Sequence, residues 1–340
     1  MVVGSYPRPY DWSQTGLKVI PVAPDLRHSL SLARFSARFA LRQAIASLHR
    51  HIPIDVVEWP DFQGLFLWKL RRGPVDVVRN HGPSFSHRLY GLTPGDRRIE
   101  SREIRALRRI PNWIGVSHWF MKECMRMAGA KPKRTTVIYN PVDCRLFHPG
   151  QEERDQNVIL YAGALIERKG VFALARASRL FLPELPQARL LFVGREASPG
   201  SRRRILGLAG EAVRNRIEFL DPLPQAELAA MMRRCAVFAM PSILESFGNV
   251  WAEAMACGTP VLGSSLTAGP EVVPHGEAGL LVDPERTEQI AAAVLSLMRN
   301  SELRARLGRR GREIALARYS VHGACARTIE FYRQCLQPDT

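Results

Sequence analysis

The sequence lacks any apolar run of the roughly 18 to 20 residues that a membrane-spanning helix needs. Its first residues, MVVGSYPRPYDWSQ, contain neither the apolar core nor the small-residue cleavage site of a secretory signal. A cytosolic chain is the resulting expectation. The six cysteines, Cys124, Cys144, Cys235, Cys257, Cys325 and Cys335, include no Cys-x-x-Cys pair and have no histidine at ligand spacing. That argues against a zinc site and against a disulfide framework, and leaves reduced, mostly buried thiols. No Asp-x-Asp stands in the loops considered below, so no metal is expected there. The recognition motifs of the known nucleic-acid modules are missing too.

What is present suffices for two domains: 340 residues, 46% apolar and 24% charged. The net charge of +16 is unevenly spread, for residues 1–150 hold 24 Lys or Arg against 11 Asp or Glu, and the remainder 24 against 21. A one-sided basic surface calls for an anionic partner: phospholipid headgroups, a lipid-linked phosphate or nucleic acid. The bland alternative is a merely soluble basic surface. Nucleic acid is disfavoured by the missing motifs, and an anionic membrane surface met by residues 31–51 and 97–109 is the expectation.

Short β-branched runs alternate with amphipathic stretches in both halves. In the first, GLKVIPVAP (17–25), IDVVEW (54–59), VDVVRN (75–80), NWIGVS (112–117) and TTVIYN (135–140) read as strands, and SLARFSARFALRQAIASLHRH (31–51) as a helix. In the second, NVILYAG (157–163), ARLLFVG (188–194), RIEFLD (216–221), AVFAMPS (236–242), PVLGSS (260–265) and GLLVD (279–283) repeat the pattern. Such alternation signals βαβ units and parallel sheets. A break falls in the Pro- and Gly-containing, then acidic, segment 140–156. The fold class is therefore α/β, with two doubly wound parallel-sheet domains facing a cleft.

Sheets of this kind bind ligands outside the carboxyl ends of their strands, where helix amino termini offer free N–H groups. The stretch ESFGNVWAEAMACGTPV (245–261) occupies such a place. AVFAMPS is a buried strand, ILESFGN its carboxyl-end loop, and the helix from about Asn249 stops at Gly258, a residue suited to a left-handed cap. Glu245 is expected to project into the cleft, with Glu253 about one turn into the helix and leaning toward the same end. The Phe247, Gly248 and Asn249 amides add donors. Paired carboxylates beside exposed amides suit a polyhydroxylated ligand that carries phosphate.

Glu-x7-Glu with an internal Ser-Phe-Gly, embedded in PSILESFGNVWAEAMACGTPVLGSS and followed by GPEVVPHGEAGLLVDP, strongly resembles the family-four retaining glycosyltransferases of the GT-B fold. The resemblance runs from about residue 17 to the end of the chain. It implies that Glu245 lies near the donor sugar and that Glu253 holds the nucleotide ribose, with Ser246, Phe247, Gly248 and Asn249 lining sugar and phosphate. YAGALIERKG (161–170) matches the family's diphosphate-binding segment, with Gly163 as its first glycine and Lys169 as its lysine. Here the chain departs from the pattern, for Ala164 stands where an arginine is usual. Arg168 could restore that charge, and a solvated arginine at the helix entry is the alternative. NPVD (140–143) likewise replaces the commoner Asn-Gly-Val-Asp. His81, in VVRNHGPSFS (77–86), matches the family's cleft histidine, while His87 and His118 read as structural. Ser117 and Asn140 at neighbouring strand ends fit hinge packing as well as ligand contact. Gly194, with Arg195, marks another strand end near the expected nucleotide.

By this resemblance the chain moves a hexosyl group from a nucleotide sugar to an acceptor hydroxyl with retention. Glu245, His81 and Lys169 are its catalytic candidates. It needs no cofactor beyond the nucleotide-diphosphate sugar, and its acceptor is a lipid-linked or cell-envelope glycan of polysaccharide biosynthesis at the inner membrane face. Residues 1–147 would form the acceptor-side domain, completed by a helix of about residues 320–340 that crosses back, and 148–319 the nucleotide-sugar domain. Two alternatives stand: a nucleotide-sugar-binding protein without turnover, and a GT-B epimerase, which the Ser-Phe-Gly context disfavours. Members of the family begin with a strand, a Gly-rich loop and a helix ahead of the strand that MVVGS (1–5) resembles. A form shortened at its amino terminus, or a start site placed too late, is therefore expected.

Overall fold

The computed structural model describes residues 2–4, 19–21, 31–66, 73–90, 96–151 and 153–338. The first half contributes β1 (Val2–Gly4), β2 (Val19–Pro21), α1 (Ser31–His51), β3 (Val56–Pro60), β4 (Val75–Asn80), α2 (Arg97–Leu107), β5 (Asn112–Gly115), α3 (His118–Ala128) and β6 (Arg134–Val137). The second contributes β7 (Asp155–Ala162), α4 (Val171–Phe181), β8 (Arg189–Val193), α5 (Ser201–Ala209), β9 (Ile217–Leu220), α6 (Gln225–Arg234), β10 (Cys235–Ala239), α7 (Asn249–Ala256), β11 (Val261–Ser264), α8 (Gly269–Val272) and β12 (Gly279–Val282). Three helices close the chain: α9 (Thr287–Arg299), α10 (Ser301–Tyr319) and α11 (Val321–Leu336).

Every strand pairing is parallel. The first domain has the sheet order β3-β4-β5-β6, the second β12-β11-β10-β7-β8-β9, and β1 and β2 pair with one another. Parallel strands covered on both faces read as unbroken apolar runs. Accordingly Ile159, Leu160 and Tyr161 of β7 and Val237, Phe238 and Ala239 of β10 are fully buried. In the six-stranded sheet the order reverses between β7 and β10, so the crevice at a switch point opens where those two strands end.

The strands read from sequence all occur, some shorter than expected. NWIGVS stops at Gly115 because Ser117 turns its hydroxyl onto the Phe120 amide and caps α3. TTVIYN stops at Val137, leaving Tyr139 and Asn140 for the junction between the domains. Of 17–25, only Val19–Pro21 are described as strand, and the segment after MVVGS lies outside the described residues. The last helix packs against strands of the first half. Ala324, Phe331 and Cys335 of α11 pack with Val77, Ile114 and Ile138, and the Tyr332 hydroxyl donates to Glu58 at 2.6 Å. Among the described residues, no helix is long and apolar enough to cross a membrane.

Candidate functional site

The crevice between β7 and β10 is walled by two loops. After β7 the chain runs through Gly163 into the single turn Glu167–Lys169, and after β10 it runs through Ser242 and Glu245 into α7. Backbone bonds tie the loops together, for the Ile243 and Leu244 amides both donate to the Arg168 carbonyl, at 2.9 and 3.3 Å. Lys169 Nζ then meets Glu245 Oε1 at 2.5 Å, and the Ser242 hydroxyl donates to the same oxygen at 3.0 Å. Glu245 is thus a buried, paired carboxylate and does not project freely into the cleft. The cause is local: an anion this deep requires a cation and a hydroxyl around it. Thr267, held in the left-handed region at φ 57°, accepts the Glu245 amide on its hydroxyl at 3.3 Å. Ser242 and Thr267 were not distinguishable in the sequence, since small hydroxyl residues at strand ends are common.

Glu253 differs. It lies half-buried on α7, with no hydrogen-bond or ion-pair partner for its carboxylate among the described residues. Desolvation alone raises its pKa to about 7. The Phe247, Gly248 and Asn249 amides, at the mouth of α7, have no acceptor among the described residues either. Gly248 stands at φ 87°, and a Cβ there would come within 2.3 Å of the Trp251 ring, so only glycine lets the loop turn into the helix. The Phe247 side chain faces away from this mouth. It is buried in an aromatic cluster, with ring centroids 5.9 Å from Tyr139 and 5.3 Å from Tyr319, so only its backbone is available to a ligand.

Gly163 and Gly194 meet where β7 and β8 end. A Cβ on Gly194 would lie 1.9 Å from the Gly163 carbonyl oxygen, so the two strand ends close up only because no side chain intervenes. Ala164, at the position of the missing arginine, leaves its carbonyl to accept the Tyr161 hydroxyl at 2.9 Å. Arg168 is half-buried beside it, and its guanidinium opposes the rise that burial imposes on the Tyr161 phenol.

The remaining candidates lie in the first domain. His81 directly follows β4 and is exposed, with no hydrogen bond to its ring among the described residues. Its pKa is held below the ordinary value first by desolvation from the atoms crowding it and second by the Arg79 charge, with Glu58 opposing. No bond joins it to Glu245, Lys169 or Glu253 in this arrangement. His87, read from sequence as structural, is half-buried and close enough to Arg168 for that charge to lower its pKa, after desolvation. Its ring therefore lies near the 163–170 loop of the second domain.

Among the described residues, the contacts that join the two domains include several at these strand and helix ends. The Ser117 hydroxyl donates to the Ser246 carbonyl at 2.6 Å, and Asn140 Nδ2 to Asn249 Oδ1 at 2.9 Å. The Glu271 carboxylate, on α8, accepts the His118 and Trp119 amides at 2.8 and 3.2 Å and so caps α3 from the other domain. Ser117 and Asn140 are thus junction residues. The role of Glu271 was hidden in sequence because its partners lie some 150 residues away.

Two family models match the chain: Glycosyltransferase Family 4 over residues 4–146 and Glycosyl transferases group 1 over residues 145–314, half of the sequence. A D-inositol 3-phosphate glycosyltransferase of Corynebacterium glutamicum is 34% identical over 206 residues, covering 55% of this chain and 49% of that protein. An MMP alpha-(1->4)-mannosyltransferase of Mycolicibacterium hassiacum is 29% identical over 233 residues, covering 68% and 56%. The chain spans about half the length of the curated relatives it matches. Among solved structures, the sucrose-phosphate synthase of Thermosynechococcus elongatus superposes with a TM-score of 0.75 at 24% identity over 93% of this chain and 82% of that one. Anabaena HepE in complex with UDP superposes with 0.75 at 18% over 98% and 99%. The fold is accordingly GT-B, and with a family model spanning half its length the chain belongs to the group 1 glycosyl transferases.

Proposed function

We propose that this glycosyltransferase takes a hexosyl group from a nucleotide-diphosphate sugar held at the β7/β10 crevice and transfers it, with retention and without a metal, to an acceptor hydroxyl presented by the first domain. The observation that carries the reading is the Lys169–Glu245 pair beneath the open amides of Phe247, Gly248 and Asn249. The carboxylate that holds the Lys169 ammonium lies in the loop that leads into three N–H groups without an acceptor among the described residues, and a diphosphate is a ligand that such a helix mouth suits. Glu253, half-buried and unpartnered, suits the ribose diol, because a carboxylate accepts from two adjacent hydroxyls at once.

In this reading Lys169 stabilises the leaving diphosphate, Arg168 supports it in place of the arginine replaced by Ala164, and the sugar hydroxyls are held from the Glu245 side. Gly163, Gly194 and Ser246 contribute close-packed backbone. His81 faces the reacting sugar from the opposite wall. The leaving phosphate takes the proton of the attacking hydroxyl, so side chains mainly position the reactants and exclude water. UDP in the solved HepE complex supports a nucleotide donor, and the relatives named for inositol 3-phosphate and mannosyl transfer support a polyol or glycan acceptor. The arginine-rich first domain supports an acceptor on an anionic membrane surface.

The test is a thermal-shift screen of nucleotide sugars, followed by incubation of the best stabiliser with lipid extracts in EDTA and assignment of the product's anomeric configuration by NMR. Stabilisation by one nucleotide sugar, together with a glycosylated product of retained configuration, supports the reading. Binding without product from any extract favours the non-catalytic alternative, and an altered free nucleotide sugar favours an epimerase.

A further inference from the structure

Behind the His81 loop lie two buried carboxylates that the scheme above leaves unused. Glu103 belongs to α2, a helix whose sequence, RRIESREIRAL, reads as a basic surface. Glu103 itself is fully buried. Its Oε1 accepts the Gln63 amide at 2.8 Å and the Ser84 hydroxyl at 2.9 Å, and its Oε2 accepts the Ser84 amide at 2.8 Å. Asp61, just past β3 and 2% exposed, accepts the Gly82 amide on Oδ2 at 2.9 Å. Neither acid has an ion-pair partner among the described residues. Desolvation is the chief influence on both, pushing Glu103 up and Asp61 up to about 7, with Glu103 adding to the rise at Asp61.

Burying two carboxylates without a cation is costly, and the amides and the Ser84 hydroxyl they accept from offset that cost. The amides belong to two stretches, Gly82 to Ser84 and Gln63, so apart from the Ser84 hydroxyl both acids spend their hydrogen bonds on the backbone that directly follows His81 and on the turn at 63–64. The adjoining turn is itself strained, with Gln63 at φ 62° and Gly64 at φ 58° pressed so close to α2 that a Cβ would lie 2.6 Å from the Arg102 carbonyl carbon. His81, meanwhile, has no hydrogen bond to orient its ring. The position of the imidazole is thus inherited from its backbone, and that backbone is pinned on its carboxyl side by Asp61 and Glu103.

We propose that Glu103 and Asp61 are positioning residues for His81, holding the 81–84 backbone so that the imidazole faces the cleft. The proposal rests on the reading of His81 as a wall of the reaction site, and it predicts a particular pattern of rescue. Glutamine at 103 offers one acceptor oxygen to three donors and turns an NH2 toward an N–H, so it fails. Asparagine at 61 keeps an acceptor for Gly82, so it succeeds where alanine does not.

The experiment uses the full chain in two arms. In the first, histidine-labelled protein is titrated by NMR, with the His81 signal assigned through its loss in His81→Ala. The expected result is a His81 midpoint that rises toward the ordinary imidazole value in Glu103→Gln and in Asp61→Ala, as the released ring moves away from the Arg79 charge, and returns in Asp61→Asn. This arm needs no turnover, so it decides the proposal even if no nucleotide sugar proves to be a substrate. In the second arm, Glu103→Gln lowers kcat on the order of 10²-fold with the donor KM unchanged, yet costs less than about twofold in a His81→Ala background, as residues acting as a unit do. Thermal unfolding of each variant, followed by circular dichroism, checks that it folds. Should Glu103→Gln fail to fold, Glu103→Asp, which keeps the charge but shortens the reach, takes its place. An unmoved His81 midpoint in the Glu103 variant, or a full loss of kcat that persists without His81, overturns the proposal.

Discussion

Lys169 Nζ stands 2.5 Å from Glu245 Oε1 across two loops that leave the six-stranded sheet at its switch point, and the carboxylate is the more deeply buried partner, with 6% of its side chain exposed against 19% for the lysine. That asymmetry decides which half of the pair the fold needs more.

Lys169→Ala leaves Glu245 buried with only the Ser242 hydroxyl, and should lower stability by about 2 kcal/mol or more in denaturant unfolding. The double variant Lys169→Met/Glu245→Gln, which removes both charges, should recover most of that loss while remaining without transferase activity. A double variant no more stable than Lys169→Ala would mean that the pair is not what holds the two loops together.

Glu253 is raised to about 7 in the free protein by desolvation. Hydroxyl donors from a ribose would favour its ionised form, so binding near neutrality should expel a proton, and affinity for a nucleotide sugar should increase from pH 6 to pH 8. Calorimetry in two buffers of different ionisation enthalpy measures the released proton directly, and Glu253→Gln should abolish both the release and the pH dependence. The stability effect has the opposite sign. Because the folded pKa of Glu253 lies above the unfolded one, the folded state binds the extra proton between the ordinary carboxylate range and about 7, so this residue makes the protein more stable as pH falls through that window and less stable as pH rises.

Glu271→Ala should cost about 1 kcal/mol, since it removes the carboxylate from the first amides of α3. It should also loosen the junction. Small-angle scattering on the variant should report a larger radius of gyration than on the parent, and the difference should be smaller for Glu271→Gln, whose single side-chain oxygen keeps one of the two amides. Equal radii for parent and alanine variant would reduce Glu271 to a helix cap with no hold on the domains.

The basic first domain should bring the protein to anionic vesicles at low salt. Arginines that reach such a surface add about 1 kcal/mol each, screened as salt rises. Charge reversal of Arg98 and Arg102, exposed or half-exposed on α2, should reduce co-sedimentation without touching nucleotide binding. Tight binding to DNA or RNA with no vesicle association would remove the support for a membrane-bound acceptor.

The strand runs and the long helices could be read in the chain itself because parallel strands and amphipathic helices are encoded by residues that are neighbours in sequence. The Val75–Asn80 and Ser31–His51 elements appear at the expected bounds, and Gly258, at φ 68°, ends α7 as its position suggested. The Glu-x7-Glu stretch was equally readable as a motif. Its electrostatics were not, for Glu245 is buried only because Lys169, 76 residues earlier, arrives to pair with it.

What the sequence determined alone was the alternation of elements, the switch from a basic to a balanced half, and the loop chemistry at each strand end, all set by local spacing and side-chain type. Tertiary structure decided which of those loops meet. It put Glu271 on the start of α3, turned Phe247 into a ring cluster with Tyr139 and Tyr319, and hid Glu103 on the inner face of a helix that otherwise reads as basic. The physical reason is that burial and charge pairing depend on distance in space, and in a parallel α/β fold residues a hundred or more positions apart are brought side by side at the carboxyl ends of the strands.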